Sequence, residues 1–385
     1  MARTVALLLP NFTLGGAETQ AVELALRLPA HGWRPIVIAA DPEGPLREKV
    51  AGAGIPIFDL NAHIRGPLYS PRFWWTITKA VWRIAAICRK EKVRILQSFL
   101  FWQNQLAVPA RLLAPRMYIV TGRRNTGEFK DAARHYQAIE NFTNRFTHAI
   151  VCNSRGVLDD SQRREKAVGD RWVVIPNGVD VERFASSEKG QLRGRLSISA
   201  DQIVVGTVGN MKRQKRHDIF LRTIAALRAK HPNVIGVIVG RDMGEEKSLR
   251  ALRSELGLDS HAHFVTDCVD PAALLKDFDL FLLTSDHEGM PNAILEAMSA
   301  GVPVITRNVA GVREFAGEGK AVRAVDSDDP AILATEAAAL LSDKEGTAAM
   351  ASAGQERARD SFSLDGLAMR HAELYKALRH RRRVP

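Results

Sequence analysis

The chain has 385 residues, more than one ordinary domain core holds, so its length favours two domains. Hydrophobic residues make up 46% and charged residues 25% of the sequence, which excludes a disordered chain and is typical of a globular protein. The formal net charge of +11 attracts anions such as nucleotides, phosphorylated lipids or nucleic acid. Three cysteines, far apart and without a C-x-x-C pair, exclude a disulfide framework and a cysteine zinc site, and favour a reducing compartment.

The first half of the chain alternates apolar runs with helical patterns. The apolar runs are residues 5–9, 35–39, 118–120, 149–152 and 172–175. Between the first two runs, Ala21, Leu24 and Ala25 have the spacing of one helix face. The alternation predicts a parallel sheet covered by helices. No run approaches the roughly 18 to 20 apolar residues of a membrane span, so we expect a cytoplasmic protein.

Adjacent glycines, Gly15 and Gly16, follow the first predicted strand. Glycines here let the backbone approach a ligand closely and adopt positive φ, although a tight turn is the simpler alternative. The pattern is not G-x-G-x-x-G, so the dinucleotide fingerprint of a dehydrogenase is missing where that enzyme class carries it.

The segment 72–92 combines aromatic and basic side chains. They are Arg72, Phe73, Trp74, Trp75, Lys79, Trp82, Arg83, Arg89, Lys90 and Lys92. Aromatic rings interleaved with cations suit a helix lying on anionic lipid. Its apolar positions also fit the buried face of an ordinary helix, so the sequence leaves both interpretations open.

Residues 181–200 lose this rhythm and are rich in Ser, Gly and charge, so we place a linker there. Apolar runs then resume at residues 203–209, 234–239, 263–265, 279–283 and 303–306. The sequence therefore predicts an α/β protein of two doubly wound, Rossmann-like domains facing a central cleft. The predicted domains are residues 1–180 and 201–360. Residues 361–385 form a C-terminal helix and basic tail, which we expect to pack back on the first domain.

A strongly basic loop follows the first strand of the second domain. Lys212, Arg213, Lys215 and Arg216 lie within five residues of one another. Such a loop at a strand end suits a phosphate clamp, and equally a solvated basic surface. It lacks the G-x-x-x-x-G-K-[ST] pattern, which excludes a P-loop ATPase.

Residues 286–301 read DHEGMPNAILEAMSAG and predict a helix from about Pro291 to Ala300. The first N–H groups of this helix, at residues 292–294, would form an anion site suited to a diphosphate. Glu288 and Glu296 accept hydrogen bonds and therefore suit the hydroxyls of a sugar or ribose. An ordinary helix with acids that complement its dipole is the simpler alternative.

In this order, and together with the turn P-N-G at 176–178, these motifs resemble the retaining glycosyltransferases with the GT-B fold, the glycosyltransferase group 1 family. The resemblance covers nearly the whole chain. It implies that the second domain binds a nucleotide-sugar donor, UDP- or GDP-linked, and that the first domain binds the acceptor. The two glutamates of 286–301 match the family's Glu, seven residues, Glu motif.

The resemblance implies a role for each matching residue. Glu288 would contact donor-sugar hydroxyls, and Glu296 the nucleotide ribose. The backbone near the sugar and diphosphate would come from Gly289, Met290, Pro291 and Asn292. Gly15 and Gly16 match the family's glycines close to the donor phosphate.

The diphosphate-binding segment of the family differs here at one position. Lys215 matches the family's lysine, while Asn210 stands where the family has arginine, so Lys212 or Arg213 would supply the second cation. Many members carry a histidine after the strand that corresponds to residues 118–120. Here residues 121–125 read TGRRN, which leaves open whether Arg123, Arg124 or Asn125 takes its place.

The family is described by a same-face route in which the leaving diphosphate takes the acceptor proton. No general base is then required, and catalysis would rest on Glu288, Lys215 and Arg213. No Asp-x-Asp signature appears, so we expect metal independence and no cofactor.

The resulting hypothesis is sugar transfer to a glycan or lipid-linked acceptor in cell-envelope polysaccharide or lipopolysaccharide synthesis. The basic residues 379–383 would add contact with an anionic membrane, making the protein peripheral on the inner face. A nucleotide-sugar epimerase of the same architecture is the alternative. A basic nucleic-acid-binding protein is disfavoured, because the cations are scattered over both halves without a recognised motif.

Overall fold

Each half of the chain is built around its own parallel β-sheet. The computed structural model describes residues 3–62, 70–131, 134–166, 170–268, 270–316 and 319–380. It divides the chain into two units: Met1–Gly178 with Leu364–Pro385, and Val179–Ser363. Within the described residues, no helix is both long enough and apolar enough to cross a bilayer. The predicted pair of doubly wound, Rossmann-like domains is confirmed.

The described residues of the first unit form a seven-stranded sheet with all neighbours parallel. Its strands are β1 (Arg3–Leu9), β2 (Trp33–Ala39), β3 (Ile57–Asp59), β4 (Ile95–Ser98), β5 (Tyr118–Arg123), β6 (Ala149–Cys152) and β7 (Trp172–Val174). The spatial order β3-β2-β1-β4-β5-β6-β7 reverses direction at β1, so β1 and β4 flank the topological switch point.

Helices cover both faces of this sheet. They are α1 (Gly16–Arg27), α2 (Leu46–Gly52), α3 (Pro71–Lys90), α4 (Phe101–Leu113), α5 (Arg134–Asn144) and α6 (Arg155–Arg164), with 3-10 helices at Leu28–His31 and Gly127–Lys130. Leu24 of α1 joins one apolar cluster with Leu7 and Leu9, whereas Leu106 of α4 joins another with Leu8. Because successive strand residues point to opposite faces, α1 and α4 lie on opposite sides of the sheet.

The described residues of the second unit form a six-stranded parallel sheet in the order β10-β9-β8-β11-β12-β13. The strands are β8 (Ile203–Val208), β9 (Val234–Val239), β10 (Ala262–Val265), β11 (Leu280–Leu283), β12 (Val304–Arg307) and β13 (Arg323–Val325). The helices are α7 (Val181–Ala185), α8 (Gln191–Leu196), α9 (His217–Arg228), α10 (Glu246–Glu255), α11 (Ala272–Leu275), α12 (Asn292–Ser299), α13 (Arg313–Ala316), α14 (Pro330–Ser342) and α15 (Lys344–Phe362), with a 3-10 helix at Arg213–Lys215. Here β8 and β11 flank the switch point.

The predicted linker at 181–200 is wrong, because these residues belong to the folded second unit. They contain α7 and α8, and the buried Asp277 carboxylate accepts hydrogen bonds from the backbone N–H groups of Gly190, Leu192 and Arg193 at 2.6, 2.8 and 3.1 Å. A buried carboxylate that satisfies three N–H groups orders a segment whose composition resembles a loop.

The last helix, α16 (Leu364–Arg379), belongs to the first unit. The Tyr375 hydroxyl donates a hydrogen bond to Gln97 Oε1 of β4 at 2.5 Å, and the Tyr375 ring packs edge-on against Trp33. The chain therefore crosses from the second unit back to the first between Ser363 and Leu364. Of the basic residues 379–383, positions 381–383 lie outside the described residues.

Candidate functional site

The candidate site of the second unit lies at the switch point of its sheet. The loop after β8 leads into α9, and the loop after β11 leads into α12. Phe220 of α9 packs in the apolar cluster on one face, and Leu295 of α12 packs in the cluster on the other. Two loops that leave adjacent strands toward opposite faces open a crevice at the carboxyl edge, where such sheets bind ligands.

An ion pair joins these two loops. Lys215 Nζ lies 2.5 Å from Glu288 Oε1, and the two side chains are 14% and 11% exposed. Beside this pair, the Gln214 side-chain amide donates to the His287 carbonyl at 2.6 Å, and the Asp286 N–H donates to the Gln214 carbonyl at 3.0 Å. The structure thus brings together the predicted lysine and the first predicted glutamate. The hydrogen bonds between the two loops fix the position of this pair.

The four cations of the basic loop divide into two roles. Arg216 contacts Asp218 and Asp286, each at 3.0 Å, so it fastens the loop. Lys212 is partly buried, and burial followed by the nearby Lys215 ammonium lowers its pKa, although Glu288 acts in the opposite direction. Arg213 is exposed. Lys212 and Lys215 therefore lie beside Glu288, and Arg213 is a further, exposed cation of the same loop.

The helix after the second loop is shorter at both ends than predicted. α12 spans Asn292–Ser299, and Pro291 occupies the N-cap position with extended backbone. The Ile294 N–H donates to the Pro291 carbonyl at 3.2 Å. The prediction that residues 292–294 all present free N–H groups is therefore wrong for Ile294, because the first turn is closed by a bond to the cap residue.

Glu296 lies on α12 and is partly buried. Burial raises its pKa to about 7, and the Asp270 charge adds to this rise, while Arg183 and Lys215 act against it. Arg183 and Asp270 themselves form an ion pair at 2.7 Å. A carboxyl group with a pKa near 7 is protonated below neutral pH, where it can donate a hydrogen bond. Above neutral pH it is ionised and only accepts hydrogen bonds.

The backbone after Glu288 is held by close packing. Gly289 and Met290 are buried. A Cβ on Gly311 would lie 2.1 Å from the Gly289 carbonyl oxygen, so the loop after β12 approaches this backbone as closely as a glycine permits. Arg307 of β12 also donates to the carbonyl oxygens of Thr284 and Ser285 at 3.1 and 3.2 Å. Neither Gly311 nor Arg307 was predicted, since nothing in the local sequence marks them.

Asn210 stabilises the neighbouring loop. Its side-chain oxygen accepts a hydrogen bond from the Arg241 N–H at 3.3 Å. A Cβ on Gly240 would lie 2.1 Å from the Gly209 carbonyl oxygen, so the loops after β8 and β9 are in direct backbone contact. The structure thus places Asn210, which carries no charge, where its side chain positions this loop.

Gly15 and Gly16 lie in the first unit, at the start of α1. Gly15 is the N-cap residue with φ −90° and ψ 154°, and neither glycine uses the positive φ that this residue type permits. A Cβ on Gly15 would lie 2.2 Å from Glu18 Oε2, so any larger residue at this position requires the Glu18 side chain to move. Burial, the largest effect, raises the pKa of Glu18.

A cavity of about 370 Å³ lies at the switch point of the first sheet. Its walls include Asn11 after β1, Asp41 after β2, and Phe101 and Trp102 at the start of α4. Residues 122–125, at the end of β5, form another wall. The cavity combines aromatic walls with amide and charged groups, which is the composition of a small-molecule pocket.

The three candidates for the missing histidine have different surroundings. Arg123 is buried and contacts Glu165 at 2.8 Å and Glu140 at 3.0 Å. Arg124 donates to Asn177 Oδ1 at 3.0 Å, and its guanidinium lies 5.1 Å from the Phe99 ring centre. Asn125 is exposed. Arg123 is thus part of a buried ion cluster with Glu140 and Glu165. Arg124 and Asn125 remain candidates for the position of the family's histidine.

Two family models match the chain. The model described as "Glycosyl transferases group 1" matches residues 188–357, and the model described as "Glycosyltransferase Family 4" matches residues 14–183. Together the matches span most of both units. The chain belongs to the group 1 glycosyltransferases.

Solved structures show the fold of this glycosyltransferase. It superimposes on Anabaena HepE in complex with UDP and glucose with a TM-score of 0.84, at 21% identity, over 97% of this chain and 100% of HepE. WaaG, described as a glycosyltransferase involved in lipopolysaccharide biosynthesis, gives a TM-score of 0.76 at 19% identity, over 96% and 99% of the two chains. The predicted GT-B fold is confirmed.

Curated relatives match part of the glycosyltransferase. D-inositol 3-phosphate glycosyltransferase of Corynebacterium urealyticum is 28% identical over 60% of this chain and 56% of its own length. Lipopolysaccharide core biosynthesis mannosyltransferase LpsB of Rhizobium meliloti is 27% identical over 54% of this chain and 61% of its own length. The matches thus span between half and two thirds of these relatives.

Proposed function

We propose that this glycosyltransferase moves a sugar from a UDP- or GDP-linked donor to a glycan or lipid-linked acceptor in cell-envelope polysaccharide or lipopolysaccharide synthesis. The observation that carries the proposal is the Lys215–Glu288 pair at the switch point of the second sheet, with Glu296 on the helix that follows. The names of LpsB and WaaG support the envelope assignment.

In the proposed donor complex, the diphosphate binds Lys215, with Lys212 and Arg213 adding positive charge and α12 its N-terminal dipole. Glu288 then exchanges its contact with Lys215 for the hydroxyls of the donor sugar. Glu296 accepts hydrogen bonds from the ribose. The backbone of Gly289, Met290, Pro291 and Asn292 lines the sugar and diphosphate.

The proposed chemistry retains the anomeric configuration. The bond between the sugar's anomeric carbon and the phosphate oxygen breaks, the bond to the acceptor oxygen forms on the same face, and the acceptor proton passes to the departing diphosphate. Lys215 and Lys212 stabilise the charge that develops on that diphosphate, so the proposed reaction needs neither a metal ion nor a cofactor. Activity that persists in EDTA, and a product with the donor's anomeric configuration by NMR, are the expected results.

We further propose a cytoplasmic location, peripheral on the inner face of the membrane, and no nucleic-acid partner. The net charge of +11 supports attraction to anionic lipid. A relative named GDP-mannose-dependent alpha-(1-6)-phosphatidylinositol monomannoside mannosyltransferase, from Mycolicibacterium smegmatis, is 30% identical over 54% of this chain and points the same way.

The donor site is tested by thermal shift with UDP and GDP on the full chain. A ligand at about 100 times its Kd stabilises the folded state by about 2.7 kcal/mol. We expect a shift with one of the two, lost in Lys215→Ala and kept in Lys247→Ala, which removes an exposed lysine on α10 of the same unit. No shift with either would contradict the site. Conversion of the donor sugar without an acceptor and without release of nucleoside diphosphate would identify an epimerase instead.

A further inference from the structure

Two consecutive arginines at the end of β5 differ in how their charges are compensated. Arg123 forms ion pairs with Glu140 at 3.0 Å and with Glu165 at 2.8 Å. Arg124 forms no ion pair with a carboxylate of the described residues, and Glu18 influences it only through its charge. Arg123 therefore belongs to a compensated ion cluster, whereas the positive charge of Arg124 has no direct counter-charge.

One edge of the Arg124 guanidinium has no hydrogen-bond partner. The buried nitrogens Nε and Nη2 make no hydrogen bond within the part of the chain that the structure describes. The third nitrogen, Nη1, donates to Asn177 Oδ1 at 3.0 Å. The N–H groups of Nε and Nη2 leave the planar group in parallel, so this edge can bind two oxygens of one carboxylate or phosphate.

The position of this guanidinium is fixed by its neighbours. Asn177 holds it through Nη1, and Arg124 Cζ lies 5.1 Å from the Phe99 ring centre. The Asn153 side-chain amide donates to the Arg124 carbonyl at 3.1 Å, so the backbone of the residue is held as well. An arginine that is ordered in advance loses little side-chain freedom when it binds an anion.

Arg124 belongs to the wall of the cavity at the switch point of the first sheet. Two other basic residues of this wall, Arg123 and Lys130, both form ion pairs with the buried Glu165. Of the basic residues in the described cavity wall, Arg124 is therefore the one whose charge is left for a ligand to compensate.

Burial makes the unpaired charge of Arg124 unfavourable. It lowers the pKa of Arg124 to about 10, and the charges of Glu18 and Tyr375 oppose this effect only in part. The side chain stays protonated at neutral pH, so the cost of burying the charge is not avoided by losing the proton. Groups with such unfavourable electrostatics occur preferentially at functional sites, where a ligand compensates them.

We propose that the Nε and Nη2 edge of Arg124 is an oxyanion site, and that it makes this enzyme select an acceptor with a phosphate or carboxylate group over a neutral acceptor. Both N–H groups donate to the oxygens of that group, while Asn177 and Phe99 keep the guanidinium in place. The choice of acceptor rests on the proposed function. The oxyanion site itself does not, because it can be measured by binding alone.

The oxyanion site is tested with inorganic phosphate on the full chain. Lys215→Ala serves as the background, because it removes the main cation of the proposed donor site. Phosphate, compared with chloride at equal ionic strength, should raise the melting temperature of this variant. The rise should be lost in Lys215→Ala/Arg124→Gln and kept in Lys215→Ala/Arg116→Gln, which changes an exposed arginine before the other end of β5. No rise, or an equal rise in both double variants, would overturn the site.

Stability without phosphate separates this role from a structural one. Arg124→Gln removes an unpaired buried charge and should melt no lower than wild type, whereas Arg123→Gln breaks two buried ion pairs and should melt lower. Arg124→Lys keeps the charge and loses the two-nitrogen edge, so its phosphate effect should lie between those of wild type and Arg124→Gln. A fall in Arg124→Gln as large as that in Arg123→Gln would show that Arg124 is structural.

The choice of acceptor is tested by transfer to a glucoside, the matching glucuronide and the matching 6-phosphate. We expect wild type to prefer an acidic acceptor at least about tenfold in kcat/KM, and Arg124→Gln to lose this preference while its affinity for UDP or GDP is unchanged. The better of the two acidic acceptors identifies phosphate or carboxylate as the group that is bound.

Two results would overturn the acceptor part: equal kcat/KM for acidic and neutral acceptors in wild type, or a loss of nucleotide affinity in Arg124→Gln. If wild type releases no nucleoside diphosphate with any acceptor while the phosphate effect at Arg124 is present, the proposed function fails and the oxyanion site stands.

Discussion

Lys215 and Glu288 are 73 positions apart in sequence, and their charged atoms lie 2.5 Å apart at the carboxyl edge of the second sheet. The pair satisfies both charges before any ligand is present. In the proposed donor complex, a diphosphate that binds Lys215 would release the Glu288 carboxylate for sugar hydroxyls, so this one contact would couple the two parts of the proposed donor site.

The first prediction concerns the stability of this pair. Lys215→Ala leaves a mostly buried carboxylate without its partner and should lower the free energy of unfolding by about 2 to 3 kcal/mol. Lys215→Ala/Glu288→Ala removes both charges and should recover at least half of that loss. Urea unfolding of wild type, both single variants and the double variant measures the coupling. Additive losses would show that the two charges do not interact.

The second prediction concerns the pH dependence set by Glu296. Its pKa in the folded chain is about 7, above the usual 4.5, so the folded state binds this proton more tightly than the unfolded state. Its contribution to stability is present below pH 4.5 and is lost as the pH rises through about 7. Melting temperature should therefore fall more steeply with pH in wild type than in Glu296→Gln.

The same group should control nucleotide affinity. If the ionised Glu296 accepts ribose hydroxyls, affinity for the nucleoside diphosphate rises as the pH increases through about 7. Titration calorimetry at several pH values should show this rise in wild type and its absence in Glu296→Gln. A rise of equal size in both proteins would assign the pH dependence to another group.

The third prediction concerns the close approach of two loops. Gly311→Ala puts a Cβ 2.1 Å from the Gly289 carbonyl oxygen, so the backbone next to Glu288 must shift. We expect a loss of about 1 to 3 kcal/mol in stability and weaker nucleotide binding. Gly194→Ala is the matched control, because a Cβ there meets nothing within 4 Å. Comparable melting and binding in the two variants would contradict the packing argument.

The fourth prediction concerns the buried ion cluster of the first unit. Burial works to raise the pKa of Glu165, but Arg123 and Lys130 override it and hold that pKa at about 2. Its stabilisation is present above pH 4.5 and is lost as the pH falls through about 2. Glu165→Gln should therefore be less stable at neutral pH, by about 3 kcal/mol, and should show a weaker pH dependence of unfolding in acid. If the stability of wild type and of Glu165→Gln changed equally with pH in acid, the predicted role of Glu165 would be refuted.

The short strands show where sequence patterns fail. β3 and β13 have three residues each, Ile57–Asp59 and Arg323–Val325, and no apolar run was predicted at either. Edge strands of this length leave too few alternating positions for a pattern. The linker was misplaced for a related reason, because Asp277, more than 80 positions away, supplies the hydrogen bonds that order residues 190–193.

By itself, the sequence determined the parallel α/β architecture, the family and most of the proposed donor residues. These depend on local patterns: apolar runs long enough to form buried strands, and motifs whose spacing lies within one loop and helix. Tertiary structure alone decided that Lys215 contacts Glu288 while Arg216 fastens the loop, and that Gly311 supports the backbone at Gly289. It also decided that one side of α3 is core and the other exposes three tryptophans. These features are contacts between distant segments, and a linear pattern contains no information about which segments meet.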